Sequence, residues 1–204
     1  MFHLHIHMKN LLLSLAASSL LLFTPALSAV ANTADAAGVP TVQALTERWA
    51  SDYIEGRFVE KKTIAGFPKP LVSSGRFTID RQTGVVWETL KPFPNTLHFD
   101  DKGVHYAGAN AASSVSAGDV PAVGHLADMI RGIFAGDLEM LSQLFTLTVS
   151  LEPAPTVRAQ PKEKTLASAI AEIVISGHDS IEKIRLVGAA GDITDLTLTD
   201  QIRR

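Results

Sequence analysis

Four histidines follow the first thirty residues of this chain, His98, His105, His125 and His178, and there is no cysteine at any position. Thiol nucleophiles, thiolate metal sites and disulfides are therefore excluded from the outset. His98 and His105 flank one short hairpin pattern and could meet across it, as two imidazoles sharing a metal ion would. Opposed polar side chains on a solvent face give the same pattern, and that is the expectation here, with no metal site. The carboxylates Asp80, Glu88 and Asp100 fall on or beside neighbouring strand patterns. A two-carboxylate acid/base site stays open as an alternative, although surface placement is the default for such residues. No G-x-S-x-G elbow, H-E-x-x-H pair, G-x-x-x-x-G-K-[ST] loop or G-x-G-x-x-G turn occurs, so neither a catalytic residue nor a cofactor is expected.

What the chain offers in place of reactive groups is apolar surface, and the elements that would carry it can be read from periodicity. In Ser73–Pro94, Phe77 and Ile79 alternate with Arg76, Thr78 and Asp80. Arg81-Gln82-Thr83-Gly84 then reverses the chain, and Val85, Trp87 and Thr89 alternate again. This is a hairpin with one apolar face, and Pro92 and Pro94 end its second strand because neither can donate to a ladder. Large aromatics on one face of a sheet require a packed core or an apolar ligand. That choice is the functional question.

The chain has 204 residues, with 18 basic against 21 acidic side chains and a net charge of −3. Such a mildly acidic, unclustered balance argues against nucleic acid as a partner and against a polybasic membrane patch. Its first stretch reads as a secretory leader, residues 1–31. Lys9 precedes the apolar run Leu11–Leu22, Pro25 breaks it, and small residues allow cleavage after Ala29 or after Ala31. An uncleaved anchor is the alternative, since Leu11–Leu27 approaches a short span, but Pro25 and the Ala-x-Ala end suit a peptidase rather than an anchor. Met8 is a better leader start than Met1, and His3, His5 and His7 before it carry no functional weight. Residues 32–204 are expected to form one exported domain whose core holds without disulfides.

Along that domain, Pro40 and Thr41 open a helix whose stripe is Val42, Leu45 and Trp49. Tyr53–Lys62 is extended, and Gly66, Pro68 and Pro70 mark the turn into the hairpin. Strand patterns recur at Thr96–Phe99 and Val104–Ala107, and Gly108–Gly118 reads as a mobile loop without periodicity. Pro121 starts a helix carrying Val123, Leu126, Ile130, Ile133 and Phe134. Gly136 closes it, and Asp137 can cap a second through Leu138, Leu141 and Leu144. Phe145–Leu151 alternates most cleanly of all. Val157–Gln160 is a weak strand, Thr165–Ala171 is ambiguous between a helical turn and a loop, and Glu172–Ser176, Ile181–Val187 and Ile193–Thr199 close the chain. About nine or ten strands with inserted helices argue α+β with an antiparallel sheet rather than βαβ winding. The amphipathic helices and the sheet either form a plain core or leave a cavity where a curved sheet is incompletely plugged.

The succession of a helix, Gly56-Arg57-Phe58-Val59-Glu60, Ser74-Gly75-Arg76-Phe77, Arg81 with Val86-Trp87-Glu88 and Pro92, and a hairpin ending in Gly103-Val104 resembles the periplasmic lipoprotein carriers of the LolA and LolA-like family. The resemblance is densest from Thr41 to Tyr106 and extends more loosely to Thr199. It implies an open antiparallel half-barrel of about nine to eleven strands with a helical lid over an apolar cavity. It also implies a monomeric periplasmic carrier, without catalysis, that takes acylated cargo from an inner-membrane donor complex to an outer-membrane acceptor. The cavity would be lined by Phe58, Phe77, Ile79, Trp87, Leu97, Phe99, Ile130, Phe134, Leu147 and Val149. An arginine in the position of Arg81 helps hold the lid closed in the family, and that role is carried here to Arg81. The chain's own Gly108–Gly118 run, and an end at Arg204 without the extra C-terminal loop and strand of well-known carriers, open the alternative of a glycolipid or other lipid-linked cargo for an envelope exporter. Rival readings of another class are a lipid hydrolase or transferase in the same cavity and a packed interaction module that binds no lipid.

Overall fold

Nearly every stretch with period-two alternation is a strand in the structure, a computed structural model that describes residues 42–108, 111–116, 129–130, 132–133 and 135–204. The strands are β1 (Tyr53–Thr63), β2 (Leu71–Asp80), β3 (Gly84–Lys91), β4 (Asn95–Asp100), β5 (Gly103–Gly108), β6 (Ala111–Ser116), β7 (Phe145–Ser150), β8 (Thr156–Pro161), β9 (Ile170–Ser176), β10 (Lys183–Gly188) and β11 (Ile193–Arg203). They pair antiparallel in one sheet of 11 strands, in the order β6-β5-β4-β3-β2-β1-β11-β10-β9-β8-β7. Sequence neighbours are sheet neighbours within β1–β6 and within β7–β11, β6 and β7 form the two edges, and the one long-range pairing among the described strands joins β1 to β11. Among the described residues the sheet is accompanied by the helices α1 (Val42–Trp49), α2 (Leu138–Leu144) and the single turn α3 (Lys164–Ala167), together with helical residues at 129–130 and 132–133.

The sheet is rolled. Six strand spacings separate β4 from β9, which would hold them ~29 Å apart on a flat sheet. Leu97 and Phe99 of β4 nevertheless border the same small cleft as Ile170 and Ile173 of β9. The concave face therefore closes on itself while β6 and β7 stay unpaired with each other among the described residues. One buried cluster fills the inside, from Phe99 and Val104 through Phe58, Phe77 and Trp87 to Ile173, Ile175, Val157 and Phe145.

Local chemistry explains the turns and helix ends. Asp80 Oδ1 accepts from the amides of Gln82 (2.8 Å) and Thr83 (2.9 Å), which closes the β2–β3 turn. These bonds, the Thr83 amide foremost, hold the Asp80 carboxyl below its ordinary range. Residues 129–130 and 132–133 are helical, and Gly136, at φ +70°, ends that segment. The Asp137 amide bonds to the Gly132 carbonyl (2.8 Å) and the Gly136 amide to that of Ile133 (3.2 Å), the paired bonds of a left-handed helix stop. Asp137 then caps α2 by accepting from the Met140 amide at 3.0 Å. A Cβ at Gly136 would lie 2.6 Å from the Trp49 carbonyl carbon and 2.8 Å from the Ala50 nitrogen. Only a glycine lets this turn sit against the end of α1.

Several sequence expectations need adjustment. Gly108–Gly118 does not read as a strand, yet Ala111–Ser116 pairs with β5 in full register as β6. The ladder there is a backbone matter, and small side chains that signal nothing by periodicity still leave the amides free to pair. The ambiguous Thr165–Ala171 resolves into the α3 turn followed by the start of β9 at Ile170. The last strand runs four residues past Thr199, to Arg203, because Tyr53 and Arg204 exchange backbone hydrogen bonds of 3.3 and 3.0 Å. The leader at 1–31, the start of the helix at Pro121, and Phe134 lie outside the described residues. Among the described residues no helix is long and apolar enough to cross a membrane.

Candidate functional site: an apolar cleft within the rolled sheet

Alternation decides which side chains enter the cleft. On β3 and β4 the inward positions are Trp87, Leu97 and Phe99, with Trp87 opposite Leu97 and Val85 opposite Phe99. On β10 and β11 they are Ile184 with Leu196 and Leu186 with Thr194, and on β9 Ile173 faces Leu186. Met129, Ile130 and Ile133 of the helical segment complete the wall. The cleft, open on one side, has a volume of about 160 Å³. Engineered apolar cavities of roughly that size stay dry and take a ligand like benzene. A space of that size is smaller than a long alkyl chain.

Trp87 forms the floor. Its ring stacks on Phe58 with centroids 3.8 Å apart and lies 5.9 Å from that of Phe77, so three strands contribute one aromatic layer. Of the expected lining residues, Trp87, Leu97, Phe99 and Ile130 border the cleft. Phe58, Phe77 and Ile79 are fully buried beneath it, and Leu147 and Val149 are half-buried against the same core. The far wall of Ile170, Ile173, Ile184, Leu186 and Leu196 was not singled out from sequence. Its signal was present as alternation in the last three strands, but nothing local tells which faces meet across a rolled sheet.

Among the described residues two polar side chains border the cleft, Thr194 and Glu60. Glu60 stands on the inward face of β1, two residues beyond Phe58 and opposite Leu196. Burial pushes its carboxyl above the ordinary glutamate range, and the Lys62 ammonium only partly offsets this. Burial likewise lowers Lys62, against the pull of Glu60 and Asp192. Asp192 is itself buried and accepts from the Ala65 amide at 3.1 Å. Glu60, Lys62 and Asp192 thus form an electrostatically coupled group at the end of an otherwise apolar surface.

Arg81 follows β2 outside the cleft. Its Nε lies 3.4 Å from Asp52 Oδ1 with both side chains exposed, and its amide donates to the Asp52 carbonyl at 2.9 Å. It also borders a groove of about 260 Å³ shared with Gly132, Ala135, Asp137 and Met140, which places it beside the helical segment. Among the described residues, a second arginine bonds to helix backbone. Arg203 Nη2 donates to the carbonyls of Arg48 (3.1 Å), Trp49 (3.0 Å) and Ala50 (2.7 Å), and Nη1 to that of Asp179 (2.5 Å). The guanidinium sits on the carbonyl end of α1, where a cation is favoured. Trp49 adds a bond from Nε1 to the His178 carbonyl at 3.2 Å. Sequence reading passed over Arg203 because its acceptors lie some 150 residues away in the chain.

The groups considered for chemistry are tied up in structure. His98 and His105 do pair across β4 and β5, with ring centroids 5.8 Å apart. His105 Nε2 is 3.1 Å from Asp100 Oδ1, which also accepts from the amides of Lys102 and Gly103. Burial raises the Asp100 carboxyl, but His105 and the two amides outweigh it and hold the group below its ordinary range. Among the described residues no group of three or more His, Asp or Glu side chains could hold a metal ion. Glu88 is paired with Arg76 at 2.9 Å on the outer face.

Against known proteins, residues 28–200 match a family model described as outer membrane lipoprotein carrier protein LolA-like. No curated protein matches the sequence. Solved structures with a similar course include a LolA superfamily protein of Nitrosomonas europaea, at 7% identity and TM-score 0.43, covering 81% of this chain and 94% of that one. A putative outer membrane lipoprotein-sorting protein domain of Vibrio parahaemolyticus shares 9% identity at TM-score 0.42, covering 79% and 90%. A DUF1329 family protein of Desulfovibrio piger shares 8% at TM-score 0.46, covering 79% and 90%.

Proposed function

The chain belongs to the LolA-like family, and on that premise we propose that it is a periplasmic carrier that holds the acyl chains of lipoproteins and moves them from the inner to the outer membrane. The observation that carries this reading is the cleft itself. Among the described residues, eleven of the thirteen that border it are apolar, and strands six spacings apart converge on it. A packed interaction module would have no reason to leave that surface unfilled. Each buried methylene contributes ~0.8 kcal/mol, so a single long acyl chain would gain on the order of 10 kcal/mol on entry. The present volume admits only part of such a chain. Loading then requires Met129, Ile130 and Ile133 to withdraw from the sheet, which makes the helical segment the lid and its closing energy the counterweight that permits release.

The carrier acts without catalysis. Among the described residues the polar side chains on the wall are Thr194 and Glu60, and a hydrolase or transferase in this cavity would need a nucleophile held by a base. Donor and acceptor are an inner-membrane complex and an outer-membrane receptor, and the cargo is an acylated protein rather than a glycolipid. Protein purified from its native periplasm and examined by native mass spectrometry with lipid extraction should retain an acylated peptide. A retained glycolipid would redirect the cargo assignment. Failure to bind fatty acids and acylated peptides added in excess would sink the carrier reading altogether.

A further inference from the structure

One rim of the sheet has an unusual surface. β1 and β2 are joined by residues 64–70, and β3 and β4 by residues 92–94. Because Lys61 pairs with Val72, Lys62 with Leu71 and Lys91 with Ser74, both connections emerge at the same end of adjacent strands. They hold out the two most exposed large apolar side chains among the described residues, Phe67 at 63% and Phe93 at 76%. Leu71, Val72 and Leu90 stand exposed beside them.

These aromatics are presented, not left over. The Phe67 amide bonds to the Ile64 carbonyl (3.0 Å) and the Ala65 amide to Asp192. Asn95 Nδ2 donates to the Phe93 carbonyl at 3.0 Å. Prolines flank both rings, in Phe67-Pro68 and Pro92-Phe93-Pro94, so ordering them costs little entropy at the moment of binding.

Charge identifies the occupant. Lys61, Lys69 and Lys91 are exposed on the two connections or the strand ends that lead into them, while the stretches 64–70 and 91–95 contain no carboxylate in a chain that is net acidic. The acids on the adjoining strands are committed elsewhere: Asp192 is buried on the Ala65 amide, Glu60 faces the cleft, Glu88 is paired with Arg76, and Asp195, opposite Lys61, is paired with Arg185. Exposed phenylalanines and lysines on one rim match the interface of an anionic bilayer, where rings enter the headgroup layer and ammonium groups meet phosphates.

We propose that the rim formed by the β1–β2 and β3–β4 connections is a docking surface for anionic membrane, through which the protein rests on the bilayer it exchanges cargo with. The placement suits exchange. Thr194, Leu186 and Glu60 of the cleft lie on the halves of their strands nearest this rim, since Thr194 pairs with both Lys62 and Leu186. Docking would turn that end of the cleft toward the lipid.

The test is flotation of the purified chain with protein-free vesicles. Phosphatidylethanolamine–phosphatidylglycerol vesicles should bind it at low salt, phosphatidylcholine vesicles much less. Phe67→Ser with Phe93→Ser, and separately Lys69→Glu with Lys91→Glu, should each weaken binding by about tenfold or more, the second pair also removing its salt dependence. Both variants should keep the wild-type melting temperature and fatty-acid binding, which separates a docking defect from loss of the carrier cavity. Equal binding by wild type and both variants, or no binding to anionic vesicles, would overturn the proposal. So would retention only on native membranes with their proteins, which would make the rim a protein-docking surface.

Discussion

Replacing Arg203 by methionine tests the claim that a single side chain fastens α1 to the sheet. The variant keeps the aliphatic stem and removes the guanidinium. Of its four acceptors, the Trp49 and Ala50 carbonyls are partly buried, whereas those of Arg48 and Asp179 are open to water and rehydrate. Two charge-assisted bonds at ~1.5 kcal/mol each, the low end of their range because Arg203 is itself only half-buried, give about 3 kcal/mol. The lost cation at the helix C-terminus adds ~0.5 kcal/mol. For a domain of this size the total of about 3.5 kcal/mol should lower the melting temperature by roughly 7–14 °C. Chemical denaturation with equal m-values would confirm that stability, not compactness, has changed. Arg203→Lys should recover less than half, since an ammonium cannot fork across successive carbonyls. If Arg203→Met stays within ~0.5 kcal/mol of wild type, α1 is held by Leu45 and Trp49 alone and the reasoning fails.

Glu60→Gln tests the buried carboxyl. Because the folded state raises this group, it holds the proton more tightly than the unfolded chain does. Wild-type stability should therefore decline as pH rises from the ordinary glutamate range through the raised value, and level off above it. Glu60→Gln should match wild type in acid and exceed it near neutrality; parallel melting curves across pH would contradict the assignment. Gly136→Ala should cost about 2–4 kcal/mol, from the left-handed backbone and the contact with the end of α1, measured by denaturant midpoint. Arg81→Leu should leave stability within ~1 kcal/mol, because its ion pair with Asp52 is solvent-exposed. If Arg81 gates the lid it should also slow cargo transfer, and unchanged transfer kinetics would remove it from the mechanism.

Local patterns carried much of the architecture. The Ser73–Pro94 hairpin was legible because alternation, an Asp-initiated turn and two terminating prolines all agree there. The Asp137 cap and the Gly136 stop were legible for the same reason, each being written in adjacent residues. β6 was not, since its small residues carry no alternation and its ladder with β5 is made by the backbone. The apolar face that carries Phe77 and Trp87 was legible from alternation within one hairpin, whereas the expectation that it lines a cavity came from the family resemblance. The opposite wall could not, because its position depends on the β1–β11 pairing and on how far the sheet rolls. The same nonlocality hid Arg203, whose partners are a helix at the other end of the domain. Phe67 and Phe93 were visible as letters, but only the register shows that their two turns share a rim.

The unpaired margins of β6 and β7 have a topological meaning for a carrier. A lipid anchored to a folded protein is a rope tied to a boulder, and a closed barrel could accept it only by threading the free tail through an end. A sheet with a slit along its length can admit the tail sideways and leave the tethered mass outside at every stage. On that view, the failure of the sheet to close defines which class of cargo can be loaded at all, and the width of the slit sets how thick a tether it tolerates.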